Sequence, residues 1–406
     1  MLYQAYQIQT DALSPLHRLA QQLGSSAWLQ QTERSLLRQL SAACETLSSL
    51  RLTHSRPAFG IDSVTIEGQR VGIEEQARLK LPFGSLLHFR KTGAAGLAPQ
   101  PPVLLVAPLS GHFATLLRET LRTLLQDHDV YITDWHNARD VGLQHGSFGL
   151  QDYISYLMRF IETIGPGCHV VAVCQPCVAA LAATALMAED EHPAQPRSLT
   201  LMAGPVDCRI NPTGVNRLAT SKPIEWFEQH LISRVPWPHP GFMRRVYPGF
   251  VQLSAFMSMN LERHKQSFKQ LYQHLVEGRT EEARQIQDFY EEYLAVNDLP
   301  AEFYLETIAQ VFQTYDLPLG QLRWQGRRVN PAAIRRTALM TVEGERDDIC
   351  AVGQTMAAQE LCPNIRPYRK SHYVQTGVGH YGVFSGSKWN QQIYPRVRDM
   401  IHAHSA

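Results

Sequence analysis

The sequence predicts an α/β fold, a mostly parallel sheet with flanking helices and an inserted helical cap, and three observations carry that expectation. Short apolar runs alternate with helix-length segments from Val103 to Met202. The alternation stops after Met202 and resumes at Ala338. Within the first stretch, a β-branched run ends at Cys174, and a helix of small residues begins almost at once.

The elements follow in order. Leu16, Leu19, Ala20 and Leu23 share one helical face, as do Leu36, Leu40, Leu47 and Leu50, so the start predicts a helical pair packed on the main body. Val64-Thr65-Ile66, Val71-Gly72-Ile73 and Leu86 to Phe89 read as short strands, with Gly68 and Pro82-Phe83-Gly84 at the turns between them. Val103 to Pro108 is a buried run, followed by a helix over Leu116 to Leu125. Val130-Tyr131-Ile132, a helix over Tyr153 to Ile164, and His169 to Val173 come next. A helix over Val178 to Met187 leads to the run Leu199 to Met202. Apolar runs of this length joined by helices indicate parallel strands with crossover connections. After the resumed strand at Ala338 to Val342, the pattern predicts a helix over Val352 to Leu361, a strand at Tyr373 to Gln375 and a terminal helix. The expected division is therefore a helical segment over 1–58, the first part of the core over 59–206, a helical cap over 207–336, and the rest of the core over 337–406.

Composition narrows the function class. The 406 residues exceed one average domain, and 44% hydrophobic with 18% charged content suits a sizeable core. The formal net charge is +1, and no basic block suggests a nucleic-acid or acidic-membrane partner. No segment is apolar enough to span a bilayer, and the first residues lack the pattern of a secretory leader. A soluble protein that stays inside the cell is the simplest expectation. Seven cysteines, odd in number and widely spread, do not form a disulfide framework or a four-ligand zinc site. No cofactor or metal is expected.

The chemistry centres on Cys174. A nucleophile on a strand-to-helix turn projects above the sheet, beside free backbone N–H groups and the positive end of the helix dipole. Pro176 suits the first turn of that helix, where a missing N–H costs nothing. The local motif is nevertheless poor. Ala172 and Pro176 stand where G-x-S-x-G has glycines, and cysteine stands for serine. Two later turns strengthen it, because an α/β-hydrolase places its acid and then its histidine after later strands. Asp347 follows the resumed strand and Gly344, and His380 follows the last strand within Gly377-Val-Gly-His-Tyr-Gly. Asp207 is the second-ranked acid, and Asp348 reads as a helix N-cap. His112, His136 and His372 lie near strand ends and read as structural or substrate-lining. The oxyanion donors are the N–H of Gln175 and that of Ser110 or Gly111, in the loop after Val103 to Pro108. Trp226, Phe227, Trp237, Phe242, Tyr247, Phe250 and Phe256 form an aromatic stripe whose first role is cap core. Among them Trp226, Trp237 and Phe250, together with His112 and Tyr381, are the candidate substrate contacts.

With these residues placed, the chain resembles the intracellular poly(3-hydroxybutyrate) depolymerases, a cysteine-nucleophile branch of the α/β-hydrolase fold. The resemblance runs over nearly the whole length. It rests on Pro108-Leu-Ser-Gly-His-Phe, Thr133-Asp-Trp-His-Asn-Ala-Arg, Val173-Cys-Gln-Pro, Ala203-Gly-Pro-Val-Asp-Cys-Arg, Gly344-Glu-Arg-Asp-Asp-Ile and Gly379-His-Tyr-Gly. It implies nucleophile, acid and base at Cys174, Asp347 and His380. It also implies hydrolysis of a stored polyester on cytoplasmic granules, with the polymer and granule surface as partners; homo-oligomerisation stays open. Cys177 departs from the small apolar residue of the family, and His136-Asn137 from a more acidic stretch. Rival expectations are a polyester synthase-like acyltransferase or thiolysis to hydroxybutyryl-CoA, a redox protein using Cys174-Gln-Pro-Cys177, and an inactive granule-coat protein.

Overall fold

The computed structural model describes residues 3–4, 6–7, 10, 35–49, 51–93, 98–259 and 261–405. The first expected helix, on Leu16, Leu19, Ala20 and Leu23, lies outside the described residues, as does Leu50. Helix α1 spans Ser35–Ser49 and buries Ser41 and Ala42, while Leu40 and Leu47 stay exposed. Among the described side chains, the small Ser41 and Ala42 face the body and Leu40 and Leu47 do not.

One nine-stranded sheet organises the described chain. Its strands are β1 Ser63–Ile66, β2 Gln69–Leu81, β3 Gly84–Thr92, β4 Pro102–Val106, β5 Asp129–Trp135, β6 His169–Val173, β7 Ser198–Met202, β8 Ala338–Gly344 and β9 Lys370–Gln375. They lie in the order β1-β2-β3-β5-β4-β6-β7-β8-β9. The first pairings are antiparallel, and every pairing from β5 through β9 is parallel. Helices α2 Arg118–Leu124, α3 Leu150–Ile164, α4 Cys177–Glu189, α11 Ala357–Leu361 and α12 Tyr394–Ala403 complete the core. This is the α/β-hydrolase arrangement that the alternation predicts.

Burial explains the register. β6 and β7 are buried along their whole lengths, as strands covered on both faces must be. One apolar cluster on one face joins Leu104, Tyr153, Leu157, Val170 and Leu181; another on the opposite face joins Val103, Leu121, Val171, Met340 and Val397. Helix α4 is buried on every side from Cys177 to Met187, which its run of alanines permits by allowing close approach to the sheet.

Two elements differ from the sequence expectation. Strand β2 runs far beyond Val71 to Ile73, because hydrogen bonding to β3 carries it across the polar stretch Glu74, Glu75, Gln76 and Arg78. The helix expected over Val352 to Leu361 shortens to α11. The carboxylate of Glu343, fully buried on β8, accepts from the N–H groups of Gly353, Thr355 and Met356 and holds that segment as a turn.

Between the adjacent strands β7 and β8 the chain makes its long excursion. It contains α5 Gly214–Thr220, α6 Ile224–Leu231, α7 Gly249–Met259, α8 Leu261–Glu277, α9 Thr280–Tyr293 and α10 Ala301–Thr307, with small antiparallel ribbons. Arg244 fastens it to the core: its buried guanidinium donates to the carbonyls of Val141, Gly142 and Gly146.

Candidate active site

β6 leads directly into Cys174, whose φ of +67° lies in the left-handed region that a residue with a Cβ seldom adopts. Tertiary contacts hold it there. The Cys174 N–H donates to Met202 O at 2.8 Å, and its carbonyl accepts from Cys177 N at 3.1 Å. Such a bend stores strain that surrounding packing must maintain. Gly204, just past β7, is part of that packing: a Cβ there would lie 2.2 Å from the Cys177 Sγ and 3.0 Å from Cys174 O. The missing glycines of the local motif therefore have a counterpart just past the neighbouring strand, where the linear pattern does not look for it.

His380 and Asp347 meet beside this bend. His380 Nδ1 donates to Asp347 Oδ2 at 2.8 Å, and both side chains are almost wholly buried. The other carboxylate oxygen accepts from Ile349 N at 2.9 Å and Cys350 N at 2.8 Å. The two turns are joined by Arg346 N donating to Val378 O at 2.9 Å. Burial of the His380 ring opposes its charge. The negative charges of Cys174 and Asp347, with hydrogen bonds to both, overcome that penalty and hold its pKa well above the ordinary histidine value.

Of the rival acids, Asp207 is engaged by Arg209, which binds it through Nε at 2.9 Å and through the terminal nitrogen at 2.6 Å. Asp348 is exposed and precedes no helix; the N–H groups that it was expected to cap go to Asp347 instead.

The loop after β4 approaches the bend. Leu109 N donates to the Gln175 side-chain oxygen at 3.4 Å. The loop is fixed from behind, since Trp135 Nε1 donates to Ala107 O at 2.8 Å, and from the insertion, since Asn297 N donates to Gly111 O at 2.8 Å. Gly111 adopts φ +97°, and a Cβ there would lie 2.7 Å from Gln252 Cγ. Among the described residues, the N–H groups of Gln175, Ser110 and Gly111 donate to no backbone acceptor.

The other candidates occupy varied places. His112 is buried with Nε2 3.1 Å from Tyr293 O, and burial lowers its pKa to about 4. His136 bridges Ser85 and the Pro82 carbonyl, and His372 joins Thr341. Tyr381 packs both on the core cluster beneath the sheet ends and on Leu253, Tyr290 and Tyr293 of the insertion. Phe250 is buried against Tyr3, Val235 and Val246. Phe227 and Tyr247 are buried as well. Trp226 stacks on His230, while Trp237 is 75% exposed and meets Phe242 edge-on. The side chain of Phe256 lies outside the described residues. Cys177 is fully buried, its thiol directed at Ala172 O at 3.3 Å, and burial pushes its pKa well up. Glu343, Gly204 and Thr355, whose hydroxyl bridges both the N–H and the carbonyl of Gly204, are supports that the sequence reading did not single out.

A family model described as PHB de-polymerase C-terminus matches residues 203–405, half of the chain, including the turns of Asp347 and His380. The chain belongs to this poly(3-hydroxybutyrate) depolymerase family. Membership makes it a hydrolase. No curated protein sequence matches it. Among solved structures, the α/β hydrolase GrgF from a Penicillium species is similar at 14% identity, covering 82% of this chain and 99% of that one, with a TM-score of 0.42. Rv0554 from Mycobacterium tuberculosis is similar at 13% identity, covering 85% and 99%, with a TM-score of 0.47. The thioesterase domain of the curacin biosynthetic pathway is similar at 11% identity, covering 82% and 99%, with a TM-score of 0.43. No helix among the described residues of this depolymerase-family chain is long and apolar enough to cross a membrane.

Proposed function

We propose that this chain hydrolyses the ester bonds of poly(3-hydroxybutyrate) on cytoplasmic storage granules, with Cys174, His380 and Asp347 as nucleophile, base and orienting acid. The observation that carries the reading is the buried 2.8 Å hydrogen bond from His380 Nδ1 to Asp347, on a ring whose charge the neighbouring Cys174 favours. With Nδ1 committed to the carboxylate, Nε2 is the atom left to exchange a proton with the thiol.

His380 takes the Cys174 proton, and the thiolate attacks the ester carbonyl. The oxyanion rests on the N–H of Gln175 and that of Ser110 or Gly111. As the tetrahedral species collapses, His380 gives its proton to the departing 3-hydroxyl, leaving a thioester on Cys174. A water, deprotonated by His380, then attacks the thioester, and the acid leaves as the thiol is restored. The excursion over 207–336 acts as a cap, and Tyr381, which touches both cap and core, borders the acyl path.

The test incubates wild type and Cys174→Ala with amorphous polyester granules and follows soluble 3-hydroxybutyrate. Release only from the wild type supports the reading; equal release from both removes it. Incorporation of hydroxybutyryl-CoA into polymer would favour the synthase chemistry. A redox role would require activity that disappears in Cys177→Ala while hydrolysis is absent throughout.

A further inference from the structure

The loop from Ala107 to Gly111 is tied at both ends by two residues that also hold each other. At its start, Trp135 Nε1 donates to Ala107 O at 2.8 Å. At its end, Asn297 N donates to Gly111 O at 2.8 Å. The Asn297 side chain joins the two ties, its Nδ2 donating to Trp135 O at 3.2 Å. Asn297 is fully buried, on the stretch of the insertion between α9 and α10. That stretch is itself held from several sides. Val296 N donates to Thr53 O at 2.8 Å, Asp298 N to Asn137 Oδ1 at 3.2 Å, and Gly249 N to Asp298 Oδ1 at 2.8 Å.

A further tie lies one residue beyond the loop. His112 Nε2 faces Tyr293 O at 3.1 Å, and burial keeps the ring neutral, so its one proton belongs on Nε2 as the donor. Hydrogen bonds matter here because packing encloses the loop incompletely. Trp135 and Phe113 line a cavity of about 720 Å³ beside the end of β5, together with His54, Asp134 and Arg139. Gly111, at φ +97°, also gives the backbone more freedom than a residue with a Cβ would.

We propose that the insertion aligns the oxyanion hole, with Asn297 and His112 as positioning residues for the loop that carries the Ser110 and Gly111 N–H groups. This rests on the reading of Cys174 as nucleophile and gives the cap a share in the chemistry. Oxyanion donors act by standing in place before charge develops, and a displacement of about 1 Å can cost on the order of 10²-fold in rate. A misplaced loop penalises the tetrahedral species more than the bound ester, so kcat falls more than KM rises.

The test compares two reactions of the full chain. One is steady-state hydrolysis of p-nitrophenyl butyrate, a soluble ester whose acylation and deacylation both pass through an oxyanion. The other is alkylation of Cys174 by iodoacetamide, followed by mass on the peptide that carries it. There the thiolate displaces iodide and no oxyanion forms, so the rate reports the triad alone. Asn297→Ala should lower kcat on the order of 10- to 100-fold, with KM within about threefold and the alkylation rate within about twofold of wild type across pH. His112→Leu should act in the same direction, and His112→Gln, which restores an N–H donor near Nε2, should recover most of the loss. Circular dichroism checks folding, and the His112 pair decides the matter if Asn297→Ala does not fold.

Unchanged kcat in the folded variants, a rise in KM alone, or an alkylation rate that falls in step with kcat would each overturn the proposal. A failure of the nucleophile reading is seen separately, in the wild type: hydrolysis that survives full alkylation of Cys174 would remove that reading and this proposal with it.

Discussion

The polar groups around Cys174 and those around the cavity beside β5 are treated in opposite ways. At the first, each carboxylate oxygen of Asp347 has a partner, one of them His380 Nδ1. At the second, a carboxylate oxygen, a guanidinium nitrogen and a ring nitrogen are buried without one. Their histidines also titrate in opposite directions: His380 is held well above its ordinary value, and His54 is lowered to about 3. A site whose groups satisfy one another is preorganised for proton transfer before substrate arrives. Groups buried without a partner cost folding stability instead.

The largest expected effect tests the first half of that contrast. Asp347→Asn should lower kcat/KM by on the order of 10³–10⁴, since the amide cannot hold the same tautomer of His380. It should also move the histidine limb of the pH–rate profile to lower pH, because the carboxylate is one of the charges raising that pKa. A loss in rate with an unmoved limb would mean that Asp347 does not govern the ring.

Supporting bonds come next in size. Glu343→Gln replaces an acceptor of several buried N–H groups and should cost about 1–3 kcal/mol in urea unfolding. A comparable loss, about 1–3 kcal/mol, is expected for Gly204→Ala, whose Cβ would strike Cys177. That variant should lose activity out of proportion to its stability, because the collision lies against the Cys174 bend.

Acid unfolding separates the two sites further. The folded pKa of His54 lies below its unfolded value near 6.5, so below that pH the unfolded chain binds the extra proton. Stability should fall as pH drops from about 6.5 towards 4, by at most about 1.4 kcal/mol per pH unit for this histidine. Removing the group in His54→Gln should flatten the acid slope. His380 has the opposite sign. The stability it contributes is full below about 6.5 and is lost as pH rises through its folded value, a loss that Asp347→Asn should reduce. The smallest effect is Cys177→Ala, which should retain hydrolysis and lose about 1 kcal/mol of packing. Loss of turnover there would tie Cys177 to the chemistry.

The sheet was legible because buried parallel strands and a helix of alanines leave local patterns, as at His169–Val173 and Cys177–Glu189. The long polar β2 and the shortened α11 were not. One is a strand through its partner β3, and the other is cut short by a carboxylate from β8.

By itself, the sequence determined the order of strands and helices, the place of the excursion between Met202 and Ala338, and the three turns carrying Cys174, Asp347 and His380. Those features are local, set by the period of burial and by glycines where the chain bends. Tertiary structure alone decided that His380 meets Asp347 while Asp207 pairs with Arg209. It also placed Gly204 beneath the Cys174 bend and gathered His54, Asp134 and Arg139 around one cavity. Those choices join residues far apart in the chain. Which buried group finds a partner depends on how distant loops pack, and no local period records that.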